Sequence, residues 1–245
     1  MFSITQDKKE NCEQDKKENC RTVEAVQSKF RVLAFGDSLT EGWIDDGANF
    51  RPYTSRLLQL LNETIQLRSR SFEVHNMGLS GEFVVDQMTK RLLRILEEGT
   101  PYDLVIILGG TNDLSEASLG DEEKIFTGLK ILHDIIKTNG SNSVIVTLPE
   151  TDFYYKDLAE NGTSYVKETG ENVRILLNDK LRDYAVHTNT LLCDLAKELP
   201  QRTLTPEDLE KYWDDGLHFT AAGYERMAEI IFDSIKPLLI QDVES

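Results

Sequence analysis

The chain has 245 residues, 40% of them hydrophobic, which suits one large domain with a real core. Acids outnumber bases 43 to 27, a formal net charge of -16 that argues against an electrostatic grip on nucleic acid or on an anionic membrane. No apolar run approaches the roughly 18 residues that cross a bilayer, and the opening MFSITQDKKENC lacks the apolar stretch of a secretion signal. A cytoplasmic location without stable membrane insertion is the expectation, with oligomeric state unspecified.

Residues 1–28 read as a charged low-complexity tail in which DKKENC occurs twice. So few apolar groups do not repay the entropy of ordering. Cys12 and Cys20 have no neighbouring Cys or His pair to complete a metal site, and with Cys193 they form no disulfide framework. The folded domain is expected over 29–240.

From residue 30 the pattern alternates. FRVLAFG (30–36) is a short apolar strand, followed by PYTSRLLQLLNE with helical spacing. SFEVHNMG (71–78) is a second strand, followed by the helix pattern VVDQMTKRLLRILEE. DLVIILGG (103–110) is the third and most apolar, and EEKIFTGLKILHDIIKTN follows it. SVIVTLP (143–149) is the fourth strand. Residues 166–187 have a helical pattern, TLLCDL (190–195) reads as the fifth strand, and AAGYERMAEIIFDSIKPLL is the last helix. Strands apolar throughout and separated by helices imply a parallel sheet covered on both faces, a three-layer α/β/α fold. Right-handed connections place every strand's carboxyl end on one edge, where ligands bind in such sheets.

The candidate site is therefore sought in the residues just after the strands. Gly36-Asp37-Ser38 comes after the first, Asn76-Met77-Gly78-Leu79-Ser80-Gly81 after the second, and Gly109-Gly110-Thr111-Asn112-Asp113 after the third. Asp214-Asp215-Gly216-Leu217-His218 precedes the final helix. A serine needs a base to become a nucleophile, and the chain has four histidines. His133 lies inside an amphipathic helix, His187 near a helix end and His75 within a strand, all consistent with structural roles. His218 stands in a glycine-containing turn with an acid three residues before it. Such a turn can bring Asp215 back onto the imidazole and leave the other ring nitrogen to face Ser38. The amide of Ser38 at a helix start, the backbone at Gly81 and the side chain of Asn112 supply donors for an oxyanion.

Gly36-Asp37-Ser38-Leu39, Gly81, Gly109-Gly110-Thr111-Asn112-Asp113 and Asp215-Gly216-Leu217-His218 resemble, in order, the four blocks of the SGNH hydrolases, also called GDSL esterases/lipases. GDSL alone is a weak match; four blocks in order are specific. The resemblance implies a flavodoxin-like five-stranded parallel sheet of order 2-1-3-4-5. It implies Ser38 as nucleophile, His218 as base and Asp215 as its orienter, with the oxyanion hole formed by Ser38, Gly81 and Asn112. Asp214 is a rival to Asp215, and the family's D-x-x-H spacing favours Asp215. Gly78 is assigned to turn geometry. No cofactor and no metal are implied.

AFGDSLTEGW and YWDDGLHFTAAGY look like the small esterases of this family, which include isoamyl acetate-hydrolysing esterases, arylesterases and lysophospholipases. The implied activity is a serine esterase that hydrolyses small acyl or aryl esters, or lysophospholipids, through an acyl-enzyme. Candidate substrate contacts are Asp37, Trp43, Phe83, Asp113 and Trp213, with the segment 151–165 and Tyr212 beside them; Asp37 and Asp113 also serve as loop supports. A carbohydrate O-deacetylase or thioesterase on the same fold is the alternative reading. A catalytically silent binding protein is the non-enzymatic one. A nucleotide or flavin binder lacks a Gly-rich phosphate loop after the first strand, and a two-metal phosphoesterase lacks a histidine cluster.

Overall fold

The computed structural model describes residues 28–65, 70–151 and 165–244. In chain order the strands are β1 (Ser28–Gly36), β2 (Trp43–Ile44), β3 (Asn49–Phe50), β4 (Arg70–Gly78), β5 (Leu104–Leu108), β6 (Asn142–Val146) and β7 (Leu191–Cys193). Five of them form one sheet in the order β4-β1-β5-β6-β7, every neighbouring pair parallel. Counted among these five alone the order is 2-1-3-4-5, as the family resemblance implies. β2 and β3 form a separate antiparallel hairpin.

The strands are apolar throughout because both faces of the sheet are covered. Val32, Ala34, Leu104, Ile106 and Leu108 face one layer, where they pack with Leu57 and Leu61 of the helix Tyr53–Thr64 and with Ile231 and Ile235 of the helix Ala221–Glu244. Leu33, Phe35, Val105 and Ile107 face the other, against Met88 and against Leu92, Leu129, Leu132, Leu177 and Leu181 from three further helices. Each of these larger side chains contributes about 1.5–3 kcal/mol through burial, and Ala34 less. The sheet is thereby a rigid platform for the loops at its carboxyl edge.

Three local features depart from the expected pattern. The helix after Ser38 is a single turn, Ser38–Glu41, closed by Gly42 with φ 90°. The helix expected over 84–98 is regular only over Thr89–Glu98. Before it, Asp86 has φ 70° and the amides of Val84 and Val85 donate to the carboxylate of Asp113, at 2.8 and 3.1 Å, instead of leading into a regular helix. The hairpin and the short helices Leu195–Glu198 and Pro206–Tyr212 have no counterpart in the sequence pattern. Cys193 is buried and free. The DKKENC tail with Cys12 and Cys20, and residues 152–164 of the aromatic segment, lie outside the described residues. Among the described residues no helix is long and apolar enough to cross a membrane.

Candidate active site

β1 stays apolar up to Phe35, and the chain then turns sharply. Asp37 caps the turn: its Oδ1 accepts the N–H of Leu39 at 3.1 Å, and its carbonyl accepts the N–H groups of Thr40 and Glu41 at 3.1 and 3.0 Å. Ser38 is thereby fixed at the carboxyl edge of the sheet, 6% exposed. Its own amide, at the first helical position, has no partner within the turn and donates to no protein acceptor among the described residues. Gly78, expected to serve turn geometry, is instead a close-approach residue. It ends β4, and a Cβ there would lie 2.1 Å from the backbone nitrogen of Glu41.

From the opposite side, the turn before the final helix supplies His218. Oδ1 of Asp215 accepts the N–H groups of Leu217 and His218 at 2.8 and 2.7 Å, while Oδ2 lies 2.7 Å from Nδ1 of His218. A proton on Nδ1 satisfies that carboxylate and leaves Nε2 as an acceptor. Nε2 lies 2.9 Å from Oγ of Ser38. Partial burial pushes the Asp215 carboxyl up, but the hydrogen bonds from the His218 ring and from the His218 and Leu217 amides outweigh it and hold the group well below the usual carboxylate range. Asp214 faces elsewhere, its Oδ2 accepting the N–H of Asp45 at 3.0 Å.

Asp37 is the opposite case. It is fully buried, and burial pushes its carboxyl up to about 7 against the Leu39 N–H and the charge of His218. Its Oδ2 has no hydrogen-bond partner among the described residues.

The loop after β4 brings a second set of donors. Leu79 N–H donates to the Gly36 carbonyl at 3.0 Å and Ser80 N–H to Glu41 at 2.9 Å, which ties the loop to the turn that carries Ser38. Gly81 is exposed with φ 76°, a conformation glycine adopts without strain, and its N–H has no protein acceptor among the described residues. Nδ2 of Asn112, just after β5, gives one hydrogen to the Glu82 carbonyl at 2.9 Å and keeps a second one. β4, β1 and β5 are adjacent in the sheet, so the segments bearing Gly81, Ser38 and Asn112 emerge side by side.

Sequence reasoning missed the pair that braces these loops. Glu82, 5% exposed, is ion-paired with Arg91, whose Nε lies 2.7 Å from Oε1. The same guanidinium donates to the carbonyls of Met77 at 2.7 Å and Gly36 at 3.0 Å and lies over the ring of Phe35. One planar cation thus links the ends of β1 and β4 to the Gly81 loop. The only signal in the sequence is an acid beside Gly81 and an arginine nine residues on, a pairing too common to single out.

The remaining candidates separate by exposure. Trp43 is half-buried, and its indole stacks on the His218 imidazole with ring centroids 5.6 Å apart. Phe83 and Asp113 border a cavity of about 260 Å³ with Val85, Ala117 and Ile125. Asp113 itself is occupied by the Val84 and Val85 amides, and burial raises its pKa against those bonds. Trp213 is 5% exposed and packs on Phe219, so it belongs to the core, and Asp37 has no exposed surface. Neither is placed to touch a substrate. Another cavity, of about 490 Å³, lies at the amino ends of β6 and β7, lined by His133, Ser143 and Tyr184, on the opposite edge from Ser38. No group of three or more His, Cys, Asp or Glu that could hold a metal ion occurs among the described residues.

A parallel α/β/α sheet that presents a serine, an imidazole and a carboxylate in series at its carboxyl edge defines a class by architecture, the three-layer α/β/α proteins with a Ser-His-Asp series at one sheet edge. The sequence model described as the GDSL-like lipase/acylhydrolase family matches residues 34–226, and the chain belongs to that family. It is 25% identical over 237 residues to a multidomain esterase of Ruminococcus flavefaciens, covering 85% of this chain and 29% of that protein. Among solved structures, the native M. smegmatis aryl esterase superposes with a TM-score of 0.65 at 23% identity, covering 86% of this chain and 100% of that one. A carbohydrate acetylesterase family member from Sinorhizobium meliloti superposes with a TM-score of 0.63 at 19% identity, covering 88% and 99%.

Proposed function

We propose that the chain is a serine esterase of small acyl or aryl carboxylic esters, working through an acyl-enzyme. The observation that carries this reading is the unbroken series Ser38 Oγ, His218 Nε2, His218 Nδ1, Asp215 Oδ2, with contacts of 2.9 and 2.7 Å. Ser38 Oγ attacks the ester carbonyl as His218 Nε2 takes its proton. The tetrahedral oxyanion is held by the amides of Ser38 and Gly81 and by the second N–H of Asn112. His218 returns the proton to the leaving alcohol or phenol, and the acyl group stays on Ser38. Water then gives a proton to His218 and attacks the acyl carbon; His218 passes that proton to Ser38 Oγ as the acid leaves, restoring Ser38. Asp215 stays ionised and stabilises the imidazolium in both steps.

An apolar rim supports uncharged, modest-sized ester groups. Phe50 and Leu79, both 47% exposed, belong to the segments that follow Ser38 and precede Gly81. Trp43 and Phe83 add aromatic surface.

A fluorophosphonate probe tests the chemistry: it labels the wild type, and Ser38→Ala loses both the label and nearly all p-nitrophenyl acetate hydrolysis. Because the groups act as a unit, Ser38→Ala/His218→Ala is little worse than either single variant. Substantial hydrolysis by Ser38→Ala overturns the reading. An acyl-chain series from acetyl to palmitoyl, run beside an acetyl thioester, a lysophospholipid and acetylated sugars, separates small esters from the alternative substrates.

A further inference from the structure

We propose that Trp43 is a positioning residue for the His218 imidazole, and that the β2–β3 hairpin is the frame that keeps its indole there. The proposal rests on the reading of His218 as the base.

The imidazole can turn about its Cα–Cβ and Cβ–Cγ bonds, and in the resting site hydrogen bonds to Asp215 at Nδ1 and to Ser38 at Nε2 oppose that turning. A flat neighbour stacked on the ring opposes it as well. The indole of Trp43 meets the imidazole at an interplanar angle of 26°, in stacked geometry. Once Ser38 is acylated its hydroxyl no longer bonds Nε2. Asp215 and the indole then still hold the ring while it activates water. An aromatic face also favours the imidazolium that forms in each step. The carboxylates around this ring are Asp215 on Nδ1, the buried Asp37, and Asp214, whose backbone N–H donates to the His218 carbonyl at 2.9 Å.

The indole is held from behind. A Cβ on Gly47, which has φ 81°, would lie 2.5 Å from both Cη2 and Cζ2 of Trp43, so the ring rests directly on the glycine backbone. Phe50 meets it edge-on, with centroids 6.2 Å apart at 89°. The Tyr224 hydroxyl donates to the Trp43 carbonyl at 2.9 Å, and Asp45 N–H donates to Asp214 at 3.0 Å. The hairpin therefore joins the turn that carries Ser38 to the turn that carries His218.

Two readouts separate a positioning role from a pocket wall. Trp43→Ala lowers kcat about 3- to 10-fold, the range expected for one aromatic stacking contact, and KM falls with it because the acyl-enzyme accumulates. A burst of p-nitrophenol from p-nitrophenyl acetate records that accumulation. Gly47→Ala, which displaces the indole from a position behind it, gives the same pattern, and Trp43→Phe restores kcat to within about 3-fold. The second readout needs no substrate. An imidazole stacked on an indole quenches its emission, so the fluorescence difference between wild type and Trp43→Phe changes when His218→Asn is introduced. A raised KM at unchanged kcat in Trp43→Ala, or the absence of that change, overturns the proposal. Failure of fluorophosphonate labelling with the change intact overturns the esterase reading and leaves the stacked pair standing.

Discussion

The two sides of the cleft handle their polar groups in opposite ways. On the base side acceptors are matched: the Asp215 carboxylate collects the ring N–H of His218 and two backbone amides, and its pKa is held low. On the nucleophile side they are mismatched in both directions. Among the described residues Oδ2 of Asp37 has no donor, and the amides of Ser38 and Gly81 have no protein acceptor. Under the proposed mechanism the difference follows from the task of each side. Asp215 carries a permanent charge, which a small site keeps only when donors converge on it. The other side receives a charge that exists only during the reaction, and donors already committed to the protein would be useless to it.

The largest effect comes from reversing one matched contact. Asp215→Asn keeps the shape of the side chain but presents an amide N–H where a carboxylate accepted, which favours the wrong imidazole tautomer. A fall in kcat of about 10³–10⁴ is expected, by analogy with the Ser-His-Asp template. Steady-state hydrolysis of p-nitrophenyl acetate at saturating substrate measures it; a fall smaller than tenfold would mean that Asp215 does not orient the base. Next comes removal of an uncommitted donor. Asn112→Ala should lower kcat about 10²–10³ with little change in KM, since the lost N–H acts on the oxyanion and not on the ground-state ester. Equal losses in binding and turnover would place Asn112 in substrate binding instead.

These sides are unequally legible in the sequence. The alternation of apolar strands and amphipathic helices is a local, periodic signal, so five strands, their parallel packing and the carboxyl-edge residues are visible from residue 30 onward. Asp215 and His218 are readable because a three-residue spacing in a turn fixes their contact without long-range information. The β2–β3 hairpin is not: its strands are two residues each, too short to show a period of two. Glu82 and Arg91 meet only because the π-type turn at Val84–Met88 sets the angle of the following helix, and that turn exists because Asp113, far away in the chain, draws the Val84 and Val85 amides to itself. Trp213 and Asp37 mislead as substrate contacts for a related reason. A residue adjacent in sequence to a reacting group can still point into the core, and neighbouring positions carry no sign of which way the side chain turns.

The smallest effect on rate, and the clearest on stability, falls on the mismatched acid. Asp37→Asn keeps an oxygen for the Leu39 N–H and touches no reacting atom, so kcat should stay within about 3-fold of wild type, less than one net hydrogen bond. Stability is different. Burial lifts the Asp37 carboxyl from 3.8 to about 7 in the folded protein. Between about pH 4 and 7 the folded state therefore keeps a proton that the unfolded chain has lost, and wild-type stability declines across that interval, by on the order of a few kcal/mol in total. Above about 7 the loss is complete. Asp215 acts with the opposite sign and in another window: its folded pKa is lowered, so its contribution is present above the unfolded value of 3.8 and disappears only as the pH falls below it. The two do not overlap. Urea unfolding midpoints of wild type and Asp37→Asn at pH 5 and pH 8 isolate the effect: the variant should gain on the wild type as the pH rises, and parallel pH dependences would mean that Asp37 ionises in the folded state as readily as in the unfolded chain.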